Sequence, residues 1–171
     1  MEVEPARADD VDRIAALNVA AWRAAYRGLL PQGYLDELST AARKAQWIQA
    51  LADPAIEVLV ARDGPALLGF AAYGPSRDDD AEAATLEVYA IYVAPCAYRQ
   101  GIGRRLWQTI CQSELARNAA AISLWVLKGN HAAQRFYQAL GLTADGHHRT
   151  LTMGGMSVRE CRYVGPATRV G

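Results

Sequence analysis

The amino-acid sequence predicts an α/β or α+β fold built on one mixed sheet. Apolar, β-rich runs and segments with helical spacing follow one another along the chain, but they do not alternate strictly. The chain has 171 residues, of which 51% are hydrophobic. A chain of this size can bury one real core but is too short for two ordinary domains. We therefore expect a single domain over residues 1–171.

The N-terminal half is predicted to contain two helices and four strands. Asp9 or Asp10 can cap a first helix that ends near Gly28. Ser39 is a good N-cap for a second helix that runs to Leu51, and the segment between the two helices is a loop or a helical turn. The predicted strands are a short one from Val3, a hairpin of 56–62 and 67–73 around Asp63-Gly64-Pro65, and 86–93.

The C-terminal half is predicted to continue with two helices and three strands. Pro95 has no N–H and ends the pairing of strand 86–93. The elements that follow are a helix over about 101–117, a strand over 121–127, a helix over 130–139, and strands near 146–152 and 156–163 around the Gly154-Gly155 turn. The sheet is therefore expected to have about six to seven strands.

A strand that leads through a short loop into a Gly-x-Gly turn is the most informative segment, LEVYAIYVAPCAYRQGIGRRL at 86–106. Gly101 and Gly103 have no Cβ, so a ligand can approach the backbone at a helix N-terminus, where N–H groups are unpaired. Arg104 and Arg105 lie where the helix dipole favours acidic side chains, which indicates a bound polyanion such as a diphosphate. The alternative is an ordinary strand-loop-helix with a solvated arginine face.

Two other nucleotide-binding patterns are absent from this segment. A dinucleotide fingerprint requires a third glycine where Leu106 stands. A P-loop requires a Lys-Ser/Thr pair where Arg104 and Arg105 stand.

The segment instead resembles motif A of the GNAT superfamily of acyl-CoA-dependent N-acyltransferases, Arg/Gln-x-x-Gly-x-Gly/Ala between a strand and a helix. It departs from that pattern at Tyr98, where Arg or Gln is usual, although Arg99 is adjacent. A second segment, LWVLKGNHAAQRFYQALGL at 124–142, resembles motif B, a strand followed by Asn-x-x-Ala-x-x-Phe-Tyr-x-x-x-Gly-Phe/Leu. The stretch 149–164 is similar to the closing hairpin of many bacterial members, so the resemblance covers nearly the whole chain.

The resemblance implies the GNAT fold, a single mixed and twisted sheet with helices on both faces and a parallel strand pair that splays apart to admit CoA. It implies acetyl-CoA as co-substrate, with the exposed backbone of Ile91, Tyr92 and Val93 pairing with the pantetheine amides. Asn130 can cap its helix, and the matching family residue also hydrogen-bonds the CoA arm. The residues that carry over as the phosphate loop are Arg99, Gln100, Gly101, Ile102, Gly103 and Arg104.

Acyl transfer requires the amine to lose a proton and the departing thiolate to be protonated or stabilised. Tyr137 matches the usual general acid of the family, and a phenol with a pKa of about 10 can donate to a thiolate. The alternative for Tyr137 is a core tyrosine. Glu87 is the candidate base, because its spacing to Tyr98 is similar to that of the catalytic glutamate of GNAT histone acetyltransferases. A solvated or salt-bridged Glu87, with proton removal through water or backbone carbonyls, is the alternative.

The acceptor site is expected between the first two helices, their connecting loop and the closing hairpin. Trp22, Tyr26 and Tyr89 are candidate walls of an amine pocket, with core packing as the alternative. Tyr89 shares a strand face with Glu87. The acidic residues of the loop before strand 86–93 either attract a cationic substrate or are solvated; they are Asp78, Asp79, Asp80 and Glu82.

Three functions are compatible with this resemblance. The segment YRGLLPQGYLDEL at 26–38 resembles small-molecule acetyltransferases, so we favour acetylation of a small amine such as a polyamine, an amino acid or an aminated antibiotic. The first alternative is Nα- or Lys-acetylation of proteins. The second is a non-catalytic acyl-CoA-binding regulatory module.

The composition limits the classes of partner that the protein is expected to bind. The formal net charge is zero, which argues against nucleic-acid binding through a basic surface. The three cysteines and three histidines show neither a disulfide framework nor metal-ligand spacing, so we expect no metal. No leader pattern or membrane-length apolar run is present, which favours a cytoplasmic protein without membrane partners. The closing hairpin is a candidate homodimer edge.

Overall fold

The computed structural model describes residues 1–82 and 84–167. Within them, the strands form one seven-stranded sheet of order β1-β2-β3-β4-β5-β7-β6, in which only β4 and β5 are parallel neighbours. The fold class and strand number predicted from sequence are confirmed. The strands are β1 Glu2–Pro5, β2 Glu57–Asp63, β3 Ala66–Pro75, β4 Thr85–Val93, β5 Ala121–Leu127, β6 Thr143–Met153 and β7 Met156–Pro166.

Helices cover both faces of this sheet. Ser39 caps α3 as expected, since its Oγ accepts a hydrogen bond from the backbone N–H of Ala42 at 3.2 Å. The segment expected to form one helix over 101–117 is divided in two, because the Ser113 hydroxyl accepts from Ala116 N–H and starts a new helix there. The helices are α1 Val11–Ala25, α2 Gln32–Asp36, α3 Thr40–Ala52, α4 Ile102–Gln112, α5 Glu114–Arg117 and α6 His131–Ala139.

The two faces of the sheet bury separate apolar layers. On one face, α4 and its neighbours pack Ile102, Leu106 and Ile110 against the sheet, and all three are almost completely buried. On the other face, Ile14 and Leu17 of α1 pack against the sheet. Residues three and four apart on a helix face one way, which explains why these apolar positions recur at that spacing.

The parallel pair β4 and β5 separates shortly after it begins. Pairing runs only from Thr85 with Ala121 to Glu87 with Ser123, whereas β4 continues to Val93. Beyond Glu87, the β5-facing edge of β4 is therefore unpaired among the described residues. β4 also contains a β-bulge, because Tyr89 has no counterpart between the pairs Ala72–Ala90 and Tyr73–Val88.

The β6–β7 hairpin is joined to the helical layer through α2. Leu35 of α2 and Val158 of β7 belong to one buried cluster. Arg23 of α1 donates from Nε to the Leu35 carbonyl at 2.9 Å, which holds the short helix in place. Gly154 in the hairpin turn lies so close to Tyr34 that an added Cβ would be 2.5 Å from the Tyr34 Cβ. The hairpin, α1 and α2 thus form one wall. Among the described residues, no helix has the length and apolar character needed to cross a membrane.

Candidate active site

The separation of β4 from β5 creates a cleft with an exposed strand edge. The backbone of Ile91, Tyr92 and Val93 lies on this part of β4, and its only described strand partner is β3 on the opposite edge. An unpaired strand edge can hydrogen-bond an extended chain that carries amide groups. The side chains of Ile91 and Val93 pack toward the α4 layer, so the recognition surface here is backbone.

The N-terminus of α4 lies at the end of the loop that follows β4. Gly101 is the N-cap residue with a φ of 80°, a left-handed conformation, and an added Cβ would meet nothing within 4 Å. Arg99 also has a positive φ, of 63°. The first backbone bond of the helix is Arg105 N–H to the Gly101 carbonyl, so the preceding N–H groups of this turn have no backbone acceptor among the described residues.

The remaining motif residues have different surroundings from one another. Arg99, Gln100 and Arg104 are exposed, and Ile102 is buried in the core. Gly103 faces Phe136 of α6, since an added Cβ would be 3.2 Å from the Phe136 ring. The second glycine of the motif therefore allows α4 and α6 to approach each other.

Asn130 caps α6 in the way the sequence predicts. Its Oδ1 accepts from the backbone N–H of Ala133 at 3.1 Å.

Tyr137 is almost completely buried behind the cleft. Its ring packs edge-on against Phe136 and Trp107, with centroid distances of 5.1 and 6.3 Å. Burial raises the pKa of Tyr137, and the nearby Tyr26 acts in the same direction. The phenol therefore stays protonated, and its hydroxyl has no hydrogen-bond partner among the described residues.

A cavity of about 130 Å³ lies at the open end of the cleft. It is bounded by α1, β4, β5, the loop before β4 and the β6–β7 hairpin. Five of the residues singled out from the sequence line it: Trp22, Tyr26, Glu87, Tyr89 and Tyr92. The Tyr26 and Tyr92 hydroxyls are 3.1 Å apart and link α1 to β4.

Tyr92 connects this cavity to Tyr137. Burial raises the pKa of Tyr92 well above its ordinary value, and both Tyr26 and Tyr137 are close enough to add to that shift. The phenols of Tyr26, Tyr92 and Tyr137 therefore stay protonated and lie near one another.

Glu87 is buried in the cavity wall and is bound to Arg77. Its Oε2 accepts from the Arg77 backbone N–H at 2.9 Å and from Nε at 3.1 Å, and its Oε1 accepts from Nη2 at 2.6 Å. The Arg77 guanidinium also stacks on the Tyr89 ring at 4.1 Å. Both carboxylate oxygens of Glu87 are thus occupied.

A second ion pair lines the cavity from the hairpin. Arg149 of β6 and Glu160 of β7 are cross-strand neighbours, and Arg149 Nε donates to Glu160 Oε2 at 2.6 Å. The Arg149 guanidinium stacks on Trp125 of β5, 4.4 Å from the ring centroid. The cavity therefore contains two arginines and two glutamates.

The acidic loop is held in place by Arg162 of β7. The guanidinium of Arg162 binds both oxygens of Asp80, at 2.6 and 2.7 Å, and Asp145 at 2.7 Å. Asp78 accepts from the Trp125 indole N–H at 3.0 Å. Asp78 and Asp80 are thus structural links across the cleft, which neither sequence-based interpretation of this loop anticipated.

Sequence reasoning also missed several cavity residues. Arg149 and Leu151 are two positions apart on the predicted strand near 146–152, and Met153 follows at the same spacing just beyond it. Val158 and Glu160 are spaced likewise on the next strand, so period-two spacing could have placed each set on one face. No local signal identifies Arg77. The missed lining residues are Arg77, Val88, Trp125, Leu127, Arg149, Met153 and Glu160.

The splayed parallel pair and the glycine-capped helix beside it are those of an acyl-CoA-dependent N-acyltransferase. The model of the Acetyltransferase (GNAT) family matches residues 14–142. The chain belongs to this family and is an acyl-CoA-dependent N-acetyltransferase, as the two sequence motifs predicted.

Related proteins agree with this assignment. An uncharacterized N-acetyltransferase of Bacillus subtilis is 32% identical over 138 residues, which cover 80% of this chain and 77% of the relative. A Streptococcus mutans structure matches with a TM-score of 0.77 at 23% identity, over 98% of this chain and all (100%) of that one. A putative acetyltransferase of Salmonella typhimurium, solved with its cofactor acetyl-CoA, has a TM-score of 0.73 at 21% identity, over 100% and 96% of the two chains. These structures confirm the fold.

Proposed function

We propose that this protein transfers an acetyl group from acetyl-CoA directly to the primary amine of a small molecule. The observation that carries this proposal is the size of the cavity at the cleft, about 130 Å³. Pockets for drug-sized ligands begin at roughly 300 Å³. A peptide backbone would need a groove open along its length. The cavity is instead bordered by α1, the loop before β4 and the hairpin.

The residues of the cleft fit acetyl-CoA. The open space at Gly101 and the unpaired N–H groups of the α4 N-terminus suit a pyrophosphate, and the exposed Arg99 and Arg104 supply positive charge nearby. Gln100, Ile102 and Gly103 complete the proposed phosphate loop. The free β4 edge from Ile91 to Val93 is proposed to pair with the pantetheine amides, and Asn130 to orient the arm in addition to capping α6.

Tyr137 is proposed to be the general acid. When bound, acetyl-CoA supplies the activated thioester. Because burial raises the pKa of Tyr137, its O–H remains available as a donor throughout the working pH range. A thiol has an ordinary pKa of about 8.5, below that of the phenol. Tyr137 therefore stabilises the departing sulfur mainly by hydrogen bonding.

Glu87 is proposed to receive the proton of the amine through a water molecule. Glu87 is almost completely buried, which keeps the amine from direct contact, but Oε1 accepts only one hydrogen bond and can accept a second one from water. Trp22, Tyr26 and Tyr89 form the proposed acceptor walls around it.

The test combines binding with turnover in one preparation. Acetyl-CoA binding is measured by calorimetry, and thiol release is then followed across polyamines, amino acids, aminated antibiotics and N-terminal peptides. We expect binding and turnover with one class of small amine. Turnover confined to peptides would contradict the small-molecule assignment and support the protein-acetylating alternative.

A further inference from the structure

We propose that the acceptor carries a carboxylate beside its amine, as an α-amino acid does, and that Arg149 binds this carboxylate. The inference rests on the proposed function, because it names the substrate class of the same cavity.

The Arg149 guanidinium is held in place, but only one of its three nitrogens has a hydrogen-bond partner among the described residues. Its Nε donates to Glu160 at 2.6 Å, and its flat face stacks on Trp125. Neither Nη1 nor Nη2 has a hydrogen-bond partner among the described residues. These two nitrogens form the edge of the guanidinium that binds a carboxylate in a bidentate manner. Since Trp125 and Glu160 fix the side chain, little rotational freedom is lost when a ligand binds.

The second arginine of the cavity differs in this respect. Arg77 already binds a carboxylate through Nε and Nη2, because Glu87 lies opposite that edge. Its charge is matched within the protein. Of the two cavity arginines, Arg149 is therefore the one whose Nη1 and Nη2 are both free to bind the carboxylate of a ligand.

Glu160 supplies the complementary charge next to this edge. Its side chain is 14% exposed. Only Oε2 is engaged, by Arg149, and Oε1 accepts from no described residue. An ammonium group can bind at Oε1 while a carboxylate binds at the Arg149 edge. The two sites belong to directly paired side chains, so the matching ligand has its opposite charges close together.

This charge arrangement separates the candidate acceptors. A polyamine presents only positive groups and would place one of them near Arg149, where like charges repel. A peptide N-terminus has an amide where a free amino acid has its carboxylate. Both would leave the Arg149 edge without a partner.

The experiment compares amino acids with their amides and with the corresponding decarboxylated amines. For the wild-type protein, kcat/KM for the acid is expected to exceed that for the amide by at least about tenfold. Arg149→Gln should reduce this ratio to near one, mainly through KM, and leave the acetyl-CoA Kd unchanged. Arg149→Lys keeps the charge without the planar edge and should restore only part of the preference.

Arg159→Gln is the matched control, because Arg159 is an exposed arginine of the same hairpin that does not line the cavity. Its acid-to-amide ratio should equal that of the wild type. Equal use of acids and amides by the wild type, or an unchanged ratio in Arg149→Gln, would overturn the proposal while leaving amine acetylation intact.

Calorimetric titration of free amino acids into the CoA-bound protein separates this inference from the proposed function. Binding that Arg149→Gln abolishes, without thiol release from any amine, would support the carboxylate site and refute the small-amine reaction. Absence of amino-acid binding to a protein that acetylates other amines would refute the carboxylate site alone.

Discussion

The two sides of the cleft are built from different parts of the chain. The proposed acetyl-CoA side uses backbone groups, namely the free edge of β4 and the N–H groups of the α4 N-terminus, within one contiguous stretch. The proposed acceptor side uses side chains from α1, three strands besides β4, and the loop before β4. Its charged groups are paired across these elements, as Arg77 with Glu87 and Arg149 with Glu160.

This difference explains how one fold can keep its cofactor and change its acceptor. Backbone recognition tolerates substitution of most side chains, provided that the glycine turn and the strand separation persist. Recognition by paired side chains changes whenever one partner is replaced. We therefore expect variants of the two sides to affect different kinetic constants.

The largest effect is expected for Tyr137, the proposed general acid. Tyr137→Phe should lower kcat by about 100- to 1000-fold, because the sulfur loses its O–H donor while the ring packing is kept. Steady-state kinetics and acetyl-CoA calorimetry measure the two quantities separately, and the Kd should stay within about twofold.

Tyr163→Phe is the control, since Tyr163 is a buried tyrosine of the core outside the cavity. It should leave kcat nearly unchanged. A parallel loss of affinity and turnover in Tyr137→Phe would refute the general-acid role. Because the pKa of Tyr137 is raised, its ionisation should not reduce wild-type activity below about pH 10.

Gly101→Val tests the backbone side. Valine is strained at a φ of 80°, and its side chain would enter the open space at the helix N-terminus. Acetyl-CoA affinity is expected to fall about 100-fold in calorimetry. Gly64→Val, in the β2–β3 turn, also places valine at a positive φ, of 54°, in open space. It should lose stability but keep its affinity, and an equal loss of affinity in both variants would argue against a phosphate site at Gly101.

Arg162→Met tests the side-chain links that hold the acceptor side together. Three carboxylates lose their partner, so the free energy of unfolding should fall by about 2 kcal/mol at neutral pH, roughly a 30-fold change in the folding equilibrium. Lys44→Met removes the exposed Lys44–Asp12 pair and should cost less than about 0.5 kcal/mol in the same urea titration.

The acid dependence of this effect follows from Asp145. Burial acts to raise the pKa of Asp145, but the His147 backbone N–H and Arg162 outweigh it, and the pKa lies below the ordinary 3.8. A carboxyl whose pKa is depressed by folding stabilises the protein above that value, and this contribution is lost as the pH falls through the folded pKa. Urea titrations below pH 4 should therefore show a shallower decline for Arg162→Met than for the wild type.

The smallest effect is expected for Glu87→Gln. If Glu87 receives the proton only through water, kcat/KM should fall about tenfold with an unchanged acetyl-CoA Kd. Asp79→Asn removes one negative charge from the exposed loop nearby and should have no such effect. A 1000-fold loss would instead identify Glu87 as a base in direct contact with the amine.

The sequence predicts the sheet and the helix starts at Gly101 and Asn130 well because both are local. Apolar alternation and turn residues define each strand, and Gly101 and Asn130 lie within short motifs that also cap helices. The break at Ser113 was missed, since serine within a helical pattern does not by itself indicate a new N-cap.

The proposed acceptor cavity was only partly predictable. Trp22, Tyr26 and Tyr89 can be recognised in the sequence as aromatic candidates for a pocket wall. Arg149 and Glu160 can be recognised as a pair only once the strand pairing of β6 with β7 is known. The contact of Arg149 with Trp125 depends on the pairing of β5 with β7, which joins distant parts of the sequence. The Arg162 links to Asp78 and Asp80 span more than eighty positions (84 and 82) for the same reason.

The single extra residue at Tyr89 changes the side-chain phase of β4. Tyr89 and Ala90 are consecutive, yet both pack toward the α1 layer, and this places Tyr92 beside Tyr26. Without the bulge, strict alternation from Val88 onward would instead turn Ile91 toward the cavity and Tyr92 into the apolar layer under α4. Strand β4 thus consists of two segments whose side chains alternate in opposite phase. If the bulge were lost, the side chain of Ile91 would replace the phenol of Tyr92 at the centre of the cleft.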